Sequence, residues 1–188
     1  MLLPNKQRYK VDCVIVWVHT NLTGSNLIKS KTAGRTEMLN KYLRQALVNP
    51  NFSTKIELDF TSNTDLAGNR TNLMASFNTA ANVTGGTIPN GATDDIQFFL
   101  NAQVRAKYGN KYDDVYKFYF IAQTAGGLYG RAFGIPSAAK SVVVYNPGFT
   151  DSTIAHEDFH AMGLKHPFHE GDHMFQRAQL IILWIIPI

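Results

Sequence analysis

One stretch near the C-terminal end, residues 153–166 with the sequence TIAHEDFHAMGLKH, constrains the fold more than any other part of the chain. Two histidines four residues apart, His156 and His160, lie on one face of a helix with their Cβ atoms about 5–6 Å apart. Gly163 ends this helix, because a residue that tolerates positive φ turns the chain back at little cost. The stretch therefore predicts a helix followed by a tight turn that returns His166 towards the same face.

The residue types in this stretch are those of a catalytic zinc site. Histidine nitrogen is a preferred zinc ligand, and three protein ligands with an open fourth position distinguish catalytic zinc from structural zinc. His156, His160 and His166 are therefore predicted as zinc ligands. Glu157 is predicted to be the general base that takes a proton from zinc-bound water, whose pKa zinc lowers to about 7. A helix with solvated histidines and a glycine cap is the alternative interpretation.

The spacing H-E-x-x-H-x-x-G-x-x-H resembles the signature of the metzincin clan of zinc endopeptidases. The resemblance implies Zn²⁺ held by the same three histidines and Glu157 as the catalytic base. It implies an α/β (α+β) catalytic domain, in which a mostly parallel sheet with an antiparallel, glycine-rich edge strand packs on two long helices, one of them the active-site helix. It further implies a peptide or protein substrate and a secreted or extracellular location.

Composition is consistent with a single globular domain over residues 1–188, since 45% of the residues are apolar and 12% are aromatic. The one cysteine, Cys13, permits no internal disulfide and lies in an apolar run, which predicts a buried, inert thiol. The net charge of +4 is spread along the chain without a dense basic run, so no nucleic-acid partner is expected. Asp12 interrupts the first apolar stretch, which favours a strand over a targeting signal.

Alternating strand and helix patterns predict an α/β layer with a largely parallel sheet. The predicted strands are 11–19, 55–61, 115–122 and 141–145, and the predicted helices are 36–49, stopped by Pro50, a short one at 73–81, and one that begins at Thr93 and closes at Gly109. In strand 55–61, Glu57 and Asp59 are predicted to lie on a solvated face rather than to act as catalytic carboxylates.

The segment 124–137, TAGGLYGRAFGIPS, is rich in glycine, which weakens a strand interior and indicates a bulged edge where another backbone can approach. By resemblance, Gly130, Arg131 and Ala132 form the cleft rim that pairs with an extended substrate, as in β-augmentation. An ordinary hairpin is the alternative.

After His166 the chain lacks a visible methionine turn, which the resemblance requires, and it ends in LIILWIIPI at 180–188. Nine apolar residues are too few for a membrane-spanning helix, which needs about 20. We hypothesise that 176–188 is an out-of-frame translation after loss of one base, because permitted codons for this stretch encode a methionine turn in the neighbouring frame. The C-terminal subdomain is then truncated; a divergent natural tail is the alternative.

These features together predict a zinc-dependent endopeptidase that hydrolyses peptide bonds with an activated water and a glutamate base. An inactive zinc-binding domain without the lower half of its cleft is a second hypothesis. A peptide-binding module that uses the glycine-rich edge without catalysis is a third.

Overall fold

A six-stranded sheet organises the molecule, and five of its strands are parallel. The computed structural model describes residues 9–20, 32–60, 88, 93–149 and 152–164. The strands are β1 (Tyr9–His19), β2 (Val48–Phe52), β3 (Ile56–Asp59), β4 (Tyr116–Ile121), β5 (Gly130–Arg131) and β6 (Ser141–Tyr145), and the helices are α1 (Arg35–Gln45), α2 (Thr93–Tyr108) and α3 (Thr153–Ala161). Short 3-10 turns follow α2 at Gly109–Tyr112 and β6 at Asn146–Phe149.

The sheet runs in the order β2-β1-β4-β6-β5, and β3 also pairs with β1. The first half of β1 pairs with β2 and the second half with β3, so these two short strands together line one side of β1. All five residues of β6 are buried, as is expected for a strand covered on both faces. The predicted strands and the mostly parallel sheet are confirmed, and β5 is the antiparallel edge strand.

Helices cover both faces of the sheet. Leu39 and Leu43 of α1 share one apolar cluster with Ile154 and Ala161 of α3. Residues of α2 pack into a second cluster with the opposite face of the strands, where Leu100 meets side chains such as Tyr119. The prediction of two long helices is therefore wrong, because the described residues contain three helices and α3 has only nine residues.

Helix α1 ends earlier than the sequence predicts. It stops at Gln45, and Leu47 adopts a left-handed conformation with φ of 62°. The following residues pair with β1, and Pro50 lies opposite Val11 in the edge strand β2. An edge strand tolerates proline because the missing N–H faces away from the ladder. Tertiary pairing thus overrides the helical pattern of 46–49, and Pro50 belongs to a strand rather than stopping a helix.

Lys117 breaks the apolar alternation of β4. It is only 4% exposed, and its Nζ donates hydrogen bonds to the carbonyl oxygens of Tyr112 at 2.9 Å and Val115 at 3.0 Å. Burial lowers the pKa of the Lys117 amine from the usual 10.5 to about 8. Asp113 raises this pKa, Lys140 lowers it, and Asp114 raises it, all by smaller amounts than burial.

We expect the free energy of unfolding to rise between about pH 8 and pH 10.5, because over this range the unfolded chain binds the Lys117 proton and the folded chain does not. The contribution of this one proton is at most about 1.4 kcal/mol per pH unit. We would measure the free energy of unfolding in urea at several pH values. Lys117→Met should remove the part of its rise with pH that comes from this amine. The exposed control Lys41→Met should keep it, and equal slopes in all three proteins would contradict the assignment.

Candidate functional site

Helix α3 carries the histidine pair. Ser152 precedes it, and the Ser152 carbonyl accepts the N–H groups of Ala155 and His156, both at 3.0 Å, without a side-chain cap. Ile154 and Ala161 face the sheet core, whereas His156 is half-buried and His160 is only 5% exposed. Because His160 is nearly inaccessible, the alternative of two solvated histidines does not describe this helix.

The two imidazole rings converge through their Nε2 atoms, which lie 3.1 Å apart. The ring planes are almost perpendicular, with centroids 4.6 Å apart. The Nδ1 atom of His160 lies 2.6 Å from the carbonyl oxygen of Leu164. A carbonyl only accepts, so this contact assigns the proton of a neutral His160 to Nδ1 and directs the Nε2 lone pair towards His156. Metal-binding histidines are commonly oriented by such a backbone acceptor.

The turn that follows α3 provides this acceptor. Gly163 has a φ of 104°, as the sequence predicts, and its N–H donates to the His160 carbonyl at 2.9 Å. The N–H of Leu164 donates to the Phe159 carbonyl at 2.8 Å. These two bonds form a Schellman motif, in which a left-handed residue closes the helix. The same turn therefore ends α3 and brings the Leu164 carbonyl against His160.

Glu157 faces the edge strand. The backbone N–H of Ala132, the residue after β5, donates to Glu157 Oε2 at 2.9 Å. Gly130 is buried beneath the helix, and a Cβ atom there would lie 2.8 Å from both Glu157 Cγ and Thr153 Cγ2. The absence of a side chain at Gly130 is thus what allows α3 to lie this close to β5.

A second close contact holds the other end of β5. The N–H of Tyr145 in β6 donates to the Tyr129 carbonyl at 2.9 Å, and a Cβ atom on Gly148 would overlap that carbonyl. Gly130 therefore lets α3 approach β5, and Gly148 lets the 3-10 turn after β6 approach the residue before β5. The glycine-rich segment is an edge strand whose backbone is closely approached, as predicted, although the approaching groups belong to this chain.

Gln97 of α2 fixes the loop after β5, a role that the sequence analysis missed. Its side chain is 1% exposed, its Nε2 donates to the Ser141 carbonyl at 2.8 Å, and its Oε1 accepts the Phe133 N–H at 2.9 Å. The polar residue beside Ile96 on an inward-facing turn of α2 was the available signal. The Phe133 side chain of this loop also packs edge-to-face against the Phe98 ring, with the ring centroids 4.8 Å apart.

Asp158 was also missed. It is fully buried between α3 and the sheet, and neither carboxyl oxygen has a hydrogen-bond partner among the described residues. Burial raises the pKa of Asp158 well above its usual range, which favours the neutral carboxyl group. The spacing Ile154, Asp158, Ala161 follows the buried face of the helix and could have revealed it. Burial raises the pKa of the Cys13 thiol, and the predicted burial of this thiol is confirmed.

The imidazole pair fits two ligand positions of a tetrahedral zinc ion. Two bonds of about 2.0–2.1 Å at a tetrahedral angle place their nitrogen atoms about 3.3–3.4 Å apart, close to the observed 3.1 Å. His166, the predicted third ligand, lies outside the described residues, as do the predicted helix 73–81 and the apolar tail. Within the ranges that the structure describes, no group of three or more His, Cys, Asp or Glu side chains is placed to hold a metal.

No protein-family model matches the sequence, and no curated protein matches it. Thirty-four chains of solved structures match the fold. One of them comes from the structure of a chaperone-substrate complex, with a TM-score of 0.51 and 14% sequence identity. The match covers 87% of the present chain, which spans 27% of the length of that chain. At this identity the similarity shows the fold alone.

The assignment to the metzincin clan is wrong. No family model supports it, the described residues contain no three-ligand metal group, and one matching solved structure is a chaperone-substrate complex and not a metallopeptidase. The physical reason is that the motif specifies a helix and its terminal turn, and such a local unit does not determine the domain around it. The extracellular location, which rested on this resemblance, stays a prediction.

No helix in the described part of the chain has the length and apolar content needed to cross a bilayer.

We expect Gly130→Ala to lower the free energy of unfolding by about 1–3 kcal/mol, because the added Cβ forces α3 away from β5. Urea denaturation measures the change. Thr153→Ser removes one of the two overlapping atoms, so the double variant should recover part of the loss, whereas Thr153→Ser alone reports the cost of the missing methyl group. Full stability of Gly130→Ala would contradict the close contact.

Proposed function

We propose that this chain belongs to the class of zinc-dependent endopeptidases by chemistry, independently of the clan assignment rejected above. The observation that carries the proposal is the convergence of two imidazole Nε2 atoms, 3.1 Å apart, beside a glutamate held against a sheet edge. Metal ligands, an acid–base group and a rim for an extended chain are elements of metal-assisted peptide hydrolysis, and the pair would supply two of the three ligands of a catalytic zinc ion.

His156 and His160 are the residues that would hold zinc, and the sequence supplies His166 as the candidate third ligand. Bound zinc would polarise the scissile carbonyl and lower the pKa of water. The Leu164 carbonyl supports this role, because a proton held on His160 Nδ1 puts the lone pair of the ring on Nε2, the atom that would bind the metal. The near-complete burial of His160 also limits its rotation.

Glu157 is proposed to be the general base. Its carboxylate takes a proton from the attacking water and passes it to the leaving amine, as a carboxylate within hydrogen-bond reach of both can do. The Ala132 N–H holds Oε2 at 2.9 Å and so restricts the carboxylate to the side of α3 that faces β5. This bond positions the proposed base.

The substrate is proposed to be an extended peptide that lies along β5 at Gly130, Arg131 and Ala132. Strand β5 pairs with β6 on one side, and the part of the chain described by the structure places no strand on its other side. Exposed aromatic side chains precede and follow it, since Tyr129 is 50% and Phe133 is 41% exposed. Main-chain hydrogen bonds along such an edge recognise extended peptides with little dependence on sequence.

A peptide-binding module without catalysis is the second candidate function. Two observations favour it: the edge of β5, and the fold similarity to a chaperone-substrate complex. Its peptide affinity would be unchanged by a chelator, whereas a zinc peptidase would lose hydrolysis. An inactive zinc-binding domain would retain zinc and show no hydrolysis.

We expect purified protein to hold about one zinc ion per chain, because imidazole nitrogen is a common zinc ligand and the two Nε2 atoms are spaced for one tetrahedral ion. Metal analysis after dialysis should show that His156→Ala and His160→Ala each lose the ion. His19→Ala is the matched control, because His19 lies at the end of β1 beside Glu57, 3.3 Å away. Equal zinc content in all four proteins would refute the proposed ligands.

We expect Glu157→Gln to lower casein hydrolysis by at least about 10²–10⁴-fold while zinc content is retained, because glutamine cannot accept the proton. Glu57→Gln, which removes a carboxylate from β3, should leave the rate unchanged. Undiminished hydrolysis by Glu157→Gln would exclude the proposed base.

A further inference from the structure

We propose that a cavity between the last turns of α2 and the beginning of β4 binds a small organic anion that carries an apolar body. The cavity has a volume of about 410 Å³ and is lined by Asn101, Val104, Arg105, Tyr112, Lys117 and Ala138 together with three neighbouring residues. It lies on the α2 side of the sheet, whereas α3 with its histidines packs against the opposite face. The cavity is therefore separate from the candidate peptidase site.

Lys117 supplies the first positive charge. An ammonium group has three N–H donors, and the two bonds to the Tyr112 and Val115 carbonyls use two of them. The third N–H of the Lys117 ammonium has no acceptor among the described residues, and Lys117 is one of the residues that line the cavity. Burial disfavours the charged amine, with the pKa lowered to about 8, so an anion beside it would offset part of that cost.

Arg105 supplies the second positive charge. One Nη atom lies 3.5 Å from the Asp113 carboxylate, and the guanidinium carries five donors, so this contact leaves most of its hydrogen-bonding capacity unused. Lys117 and Arg105 against Asp113 give the lining a formal charge of +1. A carboxylate head group suits this lining chemically, because its oxygens accept charge-assisted hydrogen bonds from ammonium and guanidinium groups.

Much of the remaining lining is apolar or already hydrogen-bonded. Val104 and Ala138 present hydrocarbon, and Asn101 uses its amide on Ser141 at 2.8 Å and its carbonyl on Tyr119 at 3.1 Å. A volume of about 410 Å³ lies within the range of about 300–1,000 Å³ typical of small-molecule sites. The ligand is thus a carboxylate with a body of several carbon atoms rather than a bare inorganic ion.

Lys117 also fastens the turn after α2 to β4, and that role accounts for its two carbonyl bonds. This structural role of Lys117 explains neither its third N–H nor the cavity that Lys117 lines. The binding proposal and the structural role therefore make different predictions for a variant of Arg105, which does not bond the turn carbonyls.

The test is calorimetric titration of the full chain at pH 7 with phenylacetate, with its neutral counterpart phenylacetamide and with inorganic phosphate. Phenylacetate should bind, phenylacetamide should not, and Arg105→Gln should weaken phenylacetate binding at least about tenfold. Lys117→Met should abolish it, and Lys41→Gln on α1 should leave it unchanged. Arg105→Gln keeps the test valid if Lys117→Met does not fold.

Phenylacetate affinity that is equal in wild type and Arg105→Gln would overturn the site. Phosphate binding as tight as phenylacetate binding would overturn the organic ligand, because the apolar wall would then contribute nothing. Binding of phenylacetamide at the affinity of phenylacetate would overturn the requirement for an anion.

Discussion

The contact between α3 and β5 is the constraint on which the candidate site depends. Gly130 lets the helix approach until its Glu157 side chain reaches the sheet edge, and the Ala132 N–H then bonds that carboxylate. One missing Cβ atom and one backbone donor thus set the distance between the Glu157 carboxylate and the strand. A side chain at residue 130 would hold the helix away from the strand, and the hydrogen bond between Ala132 and Glu157 would then not form.

The sheet places this contact where it is accessible. Strand β6, most of β4 and most of the second half of β1 are buried and make up the centre of the sheet, whereas β5 lies at the edge. The polar residue Gln97 ties the loop after β5 to α2 across the edge, so helices from both sheet faces hold the rim. A site built between an edge strand and a packed helix is both open and positioned, which is a common requirement of catalytic groups.

The sequence predicts well what depends on local pattern and poorly what depends on partners distant in the chain. Strand β6, the beginning of α2 and the positive φ of Gly163 follow from periodicity and glycine, and all three are present. The end of α1 depends on pairing with β1, which no window of sequence contains. Lys117 and Asp158 occupy apolar positions of their elements, and periodicity alone treats such residues as exceptions. The family assignment failed because it extended a local motif to a whole domain.

The Schellman turn after α3 has a consequence for how the site assembles. The carbonyl that faces His160 belongs to Leu164, whose position exists only once the last helical turn has closed around Gly163. The His160 ring is therefore oriented in the same step in which residues 160–164 fold into the closing turn of the helix. Fraying of that terminus would remove the acceptor that orients His160. By the same linkage, a molecule that binds the ordered imidazole pair would protect the terminus from fraying.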